Sequence, residues 1–215
     1  PGATPVTLEA ELDRVLPVLE GLRDCGAALS IDSMKPEVMR AALQVGADLV
    51  NDVNALRAPG ALDAVAEFDC GICLMHMQGT PQTMQLAPAY DDVVAEVLAF
   101  LNQRLAAASR AGIARERLSI DPGFGFGKTP AHNIALFRAL RQFSDLAPTL
   151  VGISRKSLFG VVTGRPVQER LVGSVTAAVL AAAHGAAILR VHDVAATRDA
   201  LQVWQALSEI EVTHP

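Results

Sequence analysis

Short runs rich in isoleucine, valine and leucine recur along the chain at residues 28–33, 49–53, 71–77, 118–122, 149–154 and 187–192. They are apolar on both faces, which is the pattern of parallel strands covered on both sides. Residues 36–45, 90–111, 131–143, 167–184 and 196–208 instead space their apolar positions as amphipathic helices do. Thr129-Pro130 has the form of an N-cap followed by proline at the first helical position. Gly46 and Gly185 stand where a helix C-terminus favours a left-handed residue. Strands alternating with helices predict an α/β protein with a parallel sheet. No linker, low-complexity tract or shift of composition divides residues 1–215, which read as one domain.

Polar residues gather at the carboxyl ends of these strands. Asp32, Asn51, His76, Asp121 and the Arg190/His192 pair end five of them, and Arg155-Lys156 follows the sixth. Groups arriving from many strand ends predict a (β/α)8 TIM barrel, whose site lies at that face. An open doubly wound sheet would concentrate them at one switch point. Six strands are visible where the barrel needs eight, so about six βα units are expected in this chain. Either the fold is open, or an N-terminal portion carrying two strands is missing, which would leave the domain N-terminally incomplete with two unpaired sheet edges.

Composition narrows the partners. The chain is 51% apolar with a net charge of −5, which fits a well-packed core and argues against nucleic acid. The longest apolar run, 174–191, is broken by His184 and Gly185, so it reads as a buried helix feeding a buried strand and not as a membrane span. Cys25, Cys70 and Cys73 make no disulfide framework. Cys70 and Cys73 form a CxxC, but it leads into an apolar strand, so buried thiols in a reducing cytoplasm are expected.

The glycine-rich stretch Gly123-Phe124-Gly125-Phe126-Gly127-Lys128-Thr129 matches neither the phosphate-loop spacing nor the dinucleotide fingerprint. It reads as a flexible loop letting backbone approach a flat ligand, with Phe124 or Phe126 as a wall and Lys128 as a solvated charge. Asp121 suits paired hydrogen bonds from a flat heterocycle, Asn51 offers a donor and an acceptor, and Asp32 adds a third anchor. Taken alone, Asp32 also fits a helix cap, His76 a packed core histidine, and Arg155 a simple ion pair. Lys156 supplies a positive donor. Arg190 and His192, two apart on one strand, face one way and suit a phosphate or diphosphate leaving group.

Six motifs carry a resemblance to the dihydropteroate synthase family. They are Ser30-Ile31-Asp32-Ser33-Met34-Lys35-Pro36, Gly46-Ala47-Asp48-Leu49-Val50-Asn51-Asp52-Val53, Leu74-Met75-His76-Met77-Gln78-Gly79, the 121–129 stretch, Gly152-Ile153-Ser154-Arg155-Lys156-Ser157 and Arg190-Val191-His192-Asp193-Val194. They occur in family order across essentially the whole chain. The resemblance implies a cytoplasmic homodimeric transferase of folate biosynthesis and a sulfonamide target. It would condense 6-hydroxymethyl-7,8-dihydropterin diphosphate with p-aminobenzoate, using Mg²⁺, to give 7,8-dihydropteroate and diphosphate. By that similarity Asp121, Asn51 and Asp32 grip the pterin, and Lys156 reaches its oxo group. Arg190 lies against the ring and, with His192, holds the diphosphate; Lys156, Arg190 and His192 are the expected catalytic residues. Val53, Met75, Phe126 and Gly152 line the slot, while Ser157 and Phe126 meet p-aminobenzoate.

The resemblance begins late. Pro1-Gly2-Ala3 looks like the tail of the family segment after the second strand. The family's metal-linked asparagine and mobile first loop are therefore expected to be missing, leaving no metal ligand in this chain. Other readings are a methyltetrahydrofolate–corrinoid methyltransferase on the same barrel, a non-catalytic pterin binder, and Schiff-base chemistry at Lys156. The first has no diphosphate to expel, which counts against it given Ser154-Arg155-Lys156-Ser157 and Arg190-Val191-His192.

Overall fold

A computed structural model describes residues 4–208; Pro1-Gly2-Ala3 lies outside the described residues. Helix α1 (Leu8–Leu22) leads in, followed by strand β1 (Ser30–Asp32), α2 (Pro36–Gln44), β2 (Leu49–Asp52), α3 (Ala61–Ala66) and β3 (Gly71–Met75). Then come α4 (Val93–Arg110), β4 (Leu118–Asp121), α5 (Pro130–Arg138), α6 (Leu140–Leu146) and β5 (Leu150–Val151). Helices α7 (Ser157–Thr163) and α8 (Leu171–Ala183), strand β6 (Ile188–Leu189) and α9 (Val194–Ser208) complete the described residues.

The strands pair in sequence order and all parallel, β1 to β4 in one ladder and β5 with β6. A parallel bridge between Ile120 and Thr149 joins the two ladders. Sequential order with a helix after every strand has no switch point, so the six βα units form an arc of a (β/α) barrel, as the strand-end pattern predicts. Strands β3 and β4 are buried almost throughout, because helices cover one face and the opposite strands the other. The main core fills the layer between sheet and helices, with Val38, Met39, Leu74, Leu101, Ile120 and Phe143 at its centre.

Local chemistry fixes the ends of the elements. Thr129 accepts a hydrogen bond from the His132 backbone and His132 reciprocates, with Pro130 in the first turn of α5. Gly46 (φ 107) and Gly185 (φ 93) close α2 and α8 as expected. In each case the next residue's N–H reaches back into the last turn, Ala47 to Ala42 and Ala186 to Ala181, both at 3.0 Å.

Several expectations need correction. The helix read over 131–143 is two helices parted at Ala139; neither glycine nor proline marks the break. Residues 167–184 begin as a 3-10 turn, and the α-helix starts only at Leu171. The run 174–191 is not buried all round: Leu180 and Ile188 are exposed, because α8 packs one alanine-rich face inward and β6 has no outer neighbour among the described residues. Cys70 and Cys73 are buried free thiols as expected, while Cys25 is exposed.

Gly123 ties the loop after β4 to the end of β3. At its φ of 73° a Cβ would lie 1.9 Å from the His76 carbonyl oxygen, which is backbone and cannot swing aside. Gly123→Ala is expected to cost at least about 2 kcal/mol. That lowers the melting temperature by roughly 4 °C or more, and an unchanged melt by circular dichroism would contradict the contact.

Candidate active site

Register builds the site before any long-range contact does. Asp32 pairs with Asn51 across β1 and β2, and Met75 with Asp121 across β3 and β4. All of these positions lie at carboxyl ends. Asn51 is buried and its Nδ2 donates to Asp32 Oδ2 at 2.8 Å. The carboxylate can only accept, so it sets the amide orientation. Asn51 Oδ1 then points away, buried and with no hydrogen-bond partner, an acceptor suited to a ligand N–H. Asp32 is no helix cap: α2 starts from Lys35 without a side-chain cap bond.

Asp121 is 1% exposed. Its Oδ1 accepts from the Gly123 N–H at 2.7 Å, and its Oδ2 meets Arg190 Nη2 at 3.3 Å. Burial pushes its carboxyl up, and the Arg190 guanidinium pulls it back towards the charged form. Arg190 also lies 3.8 Å from Asp32 Oδ2. Its guanidinium fits there only because residue 152 is glycine: a Cβ at Gly152 would stand 2.7 Å from Arg190 Nη2 and 3.0 Å from Nε. Gly152→Ala is thus expected to displace Arg190 and weaken ligand binding at this mouth about tenfold, with little change in melting; calorimetric titration of both proteins checks it.

The turn after β5 sorts two neighbouring cations. Arg155 takes a left-handed φ of 56°, a conformation held against its intrinsic cost by the Arg155 N–H bond to Ser174 Oγ at 2.9 Å. Its side chain swings outward to bind Asp193 through two bonds of 3.0 and 2.6 Å, the ion pair expected. Lys156 turns inward, with its ammonium 4.3 Å from the Phe126 ring centroid. Burial, more than any neighbouring charge, lowers the Lys156 pKa. A cavity of about 250 Å³ is lined by Gly152, Ser154, Lys156, Arg190, Val191 and His192. His192 Nδ1 contacts Ser154 Oγ at 3.0 Å. Arg190 and His192 share this cavity as predicted, although both lie just past the paired part of β6.

Met75, Met77 and Met84 form a separate apolar cluster with Val53 and Phe126 packed against it; of the residues expected to line the slot, only Gly152 lines the cationic cavity itself. Ser157 is exposed as the first residue of α7. A larger cavity, about 750 Å³, lies between α5, α7 and α8 and shares no lining residue with the cationic mouth. It is apolar and holds none of the converging groups.

Sequence reading missed three parts of this arrangement. Lys128 is not a solvated charge: it is 3% exposed, with its ammonium against the ring and carbonyl of His76 and the carbonyl of Phe126. His76 is the packed histidine expected, edge-on to Phe100 at 5.0 Å. Asp52 is buried beneath the turn after β2, where it accepts from the Asn54 and Leu56 N–H groups, both at 2.7 Å. It thereby holds Ala55 and Leu56 at positive φ, and burial pushes its carboxyl up to about 6. The aspartate two residues before Asn54 was the readable signal of this turn. Ser154, the partner of His192, is the third.

Among the described residues no group of three or more histidine, cysteine, aspartate or glutamate side chains could hold a metal ion.

A family model described as pterin binding enzyme matches residues 1–192. Dihydropteroate synthase of Haemophilus influenzae is 49% identical over 210 residues, covering 96% of this chain and 76% of that protein. The chain belongs to the pterin-binding dihydropteroate synthase family. Solved structures of the family superimpose closely. That of Xanthomonas albilineans dihydropteroate synthase with 4-aminobenzoic acid matches with a TM-score of 0.92 at 54% identity, covering 98% of this chain and 76% of that one. The same enzyme in complex with 7,8-dihydropteroate gives 0.90 at 53% identity, over 97% and 78%. The Yersinia pestis enzyme in complex with a sulfonamide drug gives 0.94 at 44% identity, over 98% and 77%. This chain thus spans about three quarters of the length of the dihydropteroate synthases it matches.

Proposed function

We propose that the chain performs dihydropteroate synthase chemistry, joining 6-hydroxymethyl-7,8-dihydropterin diphosphate to p-aminobenzoate with release of diphosphate. The observation that carries this reading is the convergence of Asp121, the unpartnered acceptor of Asn51, Asp32, Lys156 and Arg190 on one mouth. Adjacent N–H groups of an aminopyrimidine edge match the Asp121 carboxylate and Asn51 Oδ1, while Lys156 donates to the oxo side.

The chemistry asks little of the amine and much of the leaving group. The C–O bond of the pterin methylene breaks and its electron pair leaves with diphosphate. The delocalised cation is captured by the aromatic amine, whose proton passes to solvent. Arg190, His192 and Lys156 line the cavity where the departing charge develops, and donors fixed in place beforehand lower the barrier most. Ser157, at the start of α7, is assigned the p-aminobenzoate carboxylate, with Phe126 as the wall, and a sulfonamide would compete there. Gly152, Val53 and Met75 shape the slot.

Mg²⁺ is commonly carried by substrate phosphates, so a Mg²⁺ would arrive with the diphosphate and would offset part of its departing charge. A homodimer in the cytoplasm completes the reading, supported by the exposed apolar side chains Leu171, Val172 and Leu180 on α8 and Val203 and Leu207 on α9. No helix among the described residues is long and apolar enough to cross a membrane.

The test is calorimetric titration with the pterin diphosphate in Mg²⁺, then addition of p-aminobenzoate with a diphosphate-release assay. Binding followed by release is the expected result. Binding without release would reduce the chain to a pterin binder, and absence of binding would refute the assignment.

A further inference from the structure

Lys128 belongs to none of the groups assigned to the substrates, yet its amine is almost wholly buried. It faces three acceptors: His76 Nδ1 at 3.0 Å, the Phe126 carbonyl at 3.0 Å and the His76 carbonyl at 3.4 Å. An ammonium has three N–H donors, so the charged form satisfies all three acceptors. A neutral amine has two donors and a lone pair, which would have to face one of them. Burial, then the Lys128 charge, holds His76 neutral with a pKa of about 3, which leaves its ring nitrogen free to accept.

The bridge joins two strand ends at the place where the site is most sensitive. His76 follows β3, while Phe126 and Lys128 belong to the loop after β4. That loop has no slack. Gly123 and Gly127 each lie so close to the chain after β3 that a Cβ would meet backbone at 1.9 and 2.7 Å. Gly125 packs on the methylenes of Lys156, and the Phe126 ring lies beneath the Lys156 ammonium. The Lys128 charge also favours the ionised form of Asp121.

We propose that Lys128 is a positioning residue for the pterin site, which binds at full affinity only while its amine is charged and bridges His76 to the Phe126 carbonyl, fixing the 122–129 loop under Lys156. The inference rests on the pterin-binding reading above. The charge is finely held: burial pushes Lys128 down to about 7, Asp121 pulls it up and Lys156 pushes it further down. The other titratable or charged groups facing the bridge are His76 itself, Arg57 towards His76, and Tyr90, whose hydroxyl donates to the Gly127 carbonyl at 2.8 Å. Burial pushes the Tyr90 hydroxyl up to about 12, so it does not titrate near neutrality. Protonation favours binding, so pterin affinity falls as pH rises through the Lys128 transition.

The experiment measures binding of 6-hydroxymethyl-7,8-dihydropterin by calorimetry at pH 6.5 and 8.5 for the wild type and Lys128→Met. The ligand's own ionisation is common to both proteins and cancels in their ratio. Wild type is expected to bind about tenfold more tightly than the variant at pH 6.5, a typical coupling between sites, and nearly equally at pH 8.5. A ratio that stays constant across pH means the lysine acts only as packing and overturns the proposal, as does equal affinity at pH 6.5. If Lys128→Met shows no cooperative melt, Lys128→Gln is measured in its place, since it keeps two donors but no charge and is held to the same two ratios. A folded wild type that binds no pterin at either pH overturns the pterin reading and this inference together.

Discussion

Replacing Arg190 with methionine is expected to lower diphosphate release by about two to three orders of magnitude, the cost of removing a fixed donor from developing anionic charge. The loss exceeds that of a single hydrogen bond because Arg190 has two duties. It lines the cavity with Lys156 and His192, where the diphosphate charge appears. It is also the cation that pulls the Asp121 carboxyl back from the rise imposed by burial. Without it, Asp121 keeps only the Gly123 N–H and the more distant lysine charges, its proton is held more tightly, and the pterin edge loses an acceptor. Both kcat and KM should therefore worsen, and steady-state assays over a range of pterin diphosphate concentrations separate them. Turnover within a factor of about three of wild type would remove Arg190 from the machinery.

Asp121→Asn should weaken pterin binding by about 3 kcal/mol, roughly a hundredfold. The amide is nearly isosteric, and its oxygen can still accept from the Gly123 N–H, so the loop keeps its anchor. Its nitrogen then faces Arg190 and the ligand N–H groups, donor against donor, in a site with 1% exposure. The Arg190 guanidinium also loses its nearer carboxylate, leaving Asp32 at 3.8 Å. Calorimetry with the pterin alcohol measures the loss, and a thermal melt confirms that the fold survives. Affinity unchanged from wild type would show that Asp121 does not meet the pterin.

What was legible in the chain was what local chemistry decides. Asp32, Asn51 and Asp121 stand at the ends of apolar runs, and a parallel sheet carries all such ends to one side. The capping of α5 by Thr129 and the left-handed glycines at 46 and 185 depend on neighbours within a few residues. Helix α1 was hidden by Pro17 in its interior, and α3 and α7, of six and seven residues, are too short to show a period. Lys128 was misread because a Gly-Lys-Thr loop looks solvated until the His76 segment is packed over it. The opposite fates of Arg155 and Lys156 hang on one positive φ that adjacency in sequence cannot convey.

The contacts of Arg190 with Asp32 and Asp121 link β6 to β1 and β4. During synthesis the two carboxylates leave the ribosome long before the arginine that balances them. A nascent chain ending before β6 therefore has only the Lys128 and Lys156 charges near these carboxylates, and the proposed pterin pocket is complete only when β6 docks. Folding and the acquisition of ligand affinity are then one late event, so a pterin ligand present during refolding should raise the yield of native protein without speeding the earliest collapse.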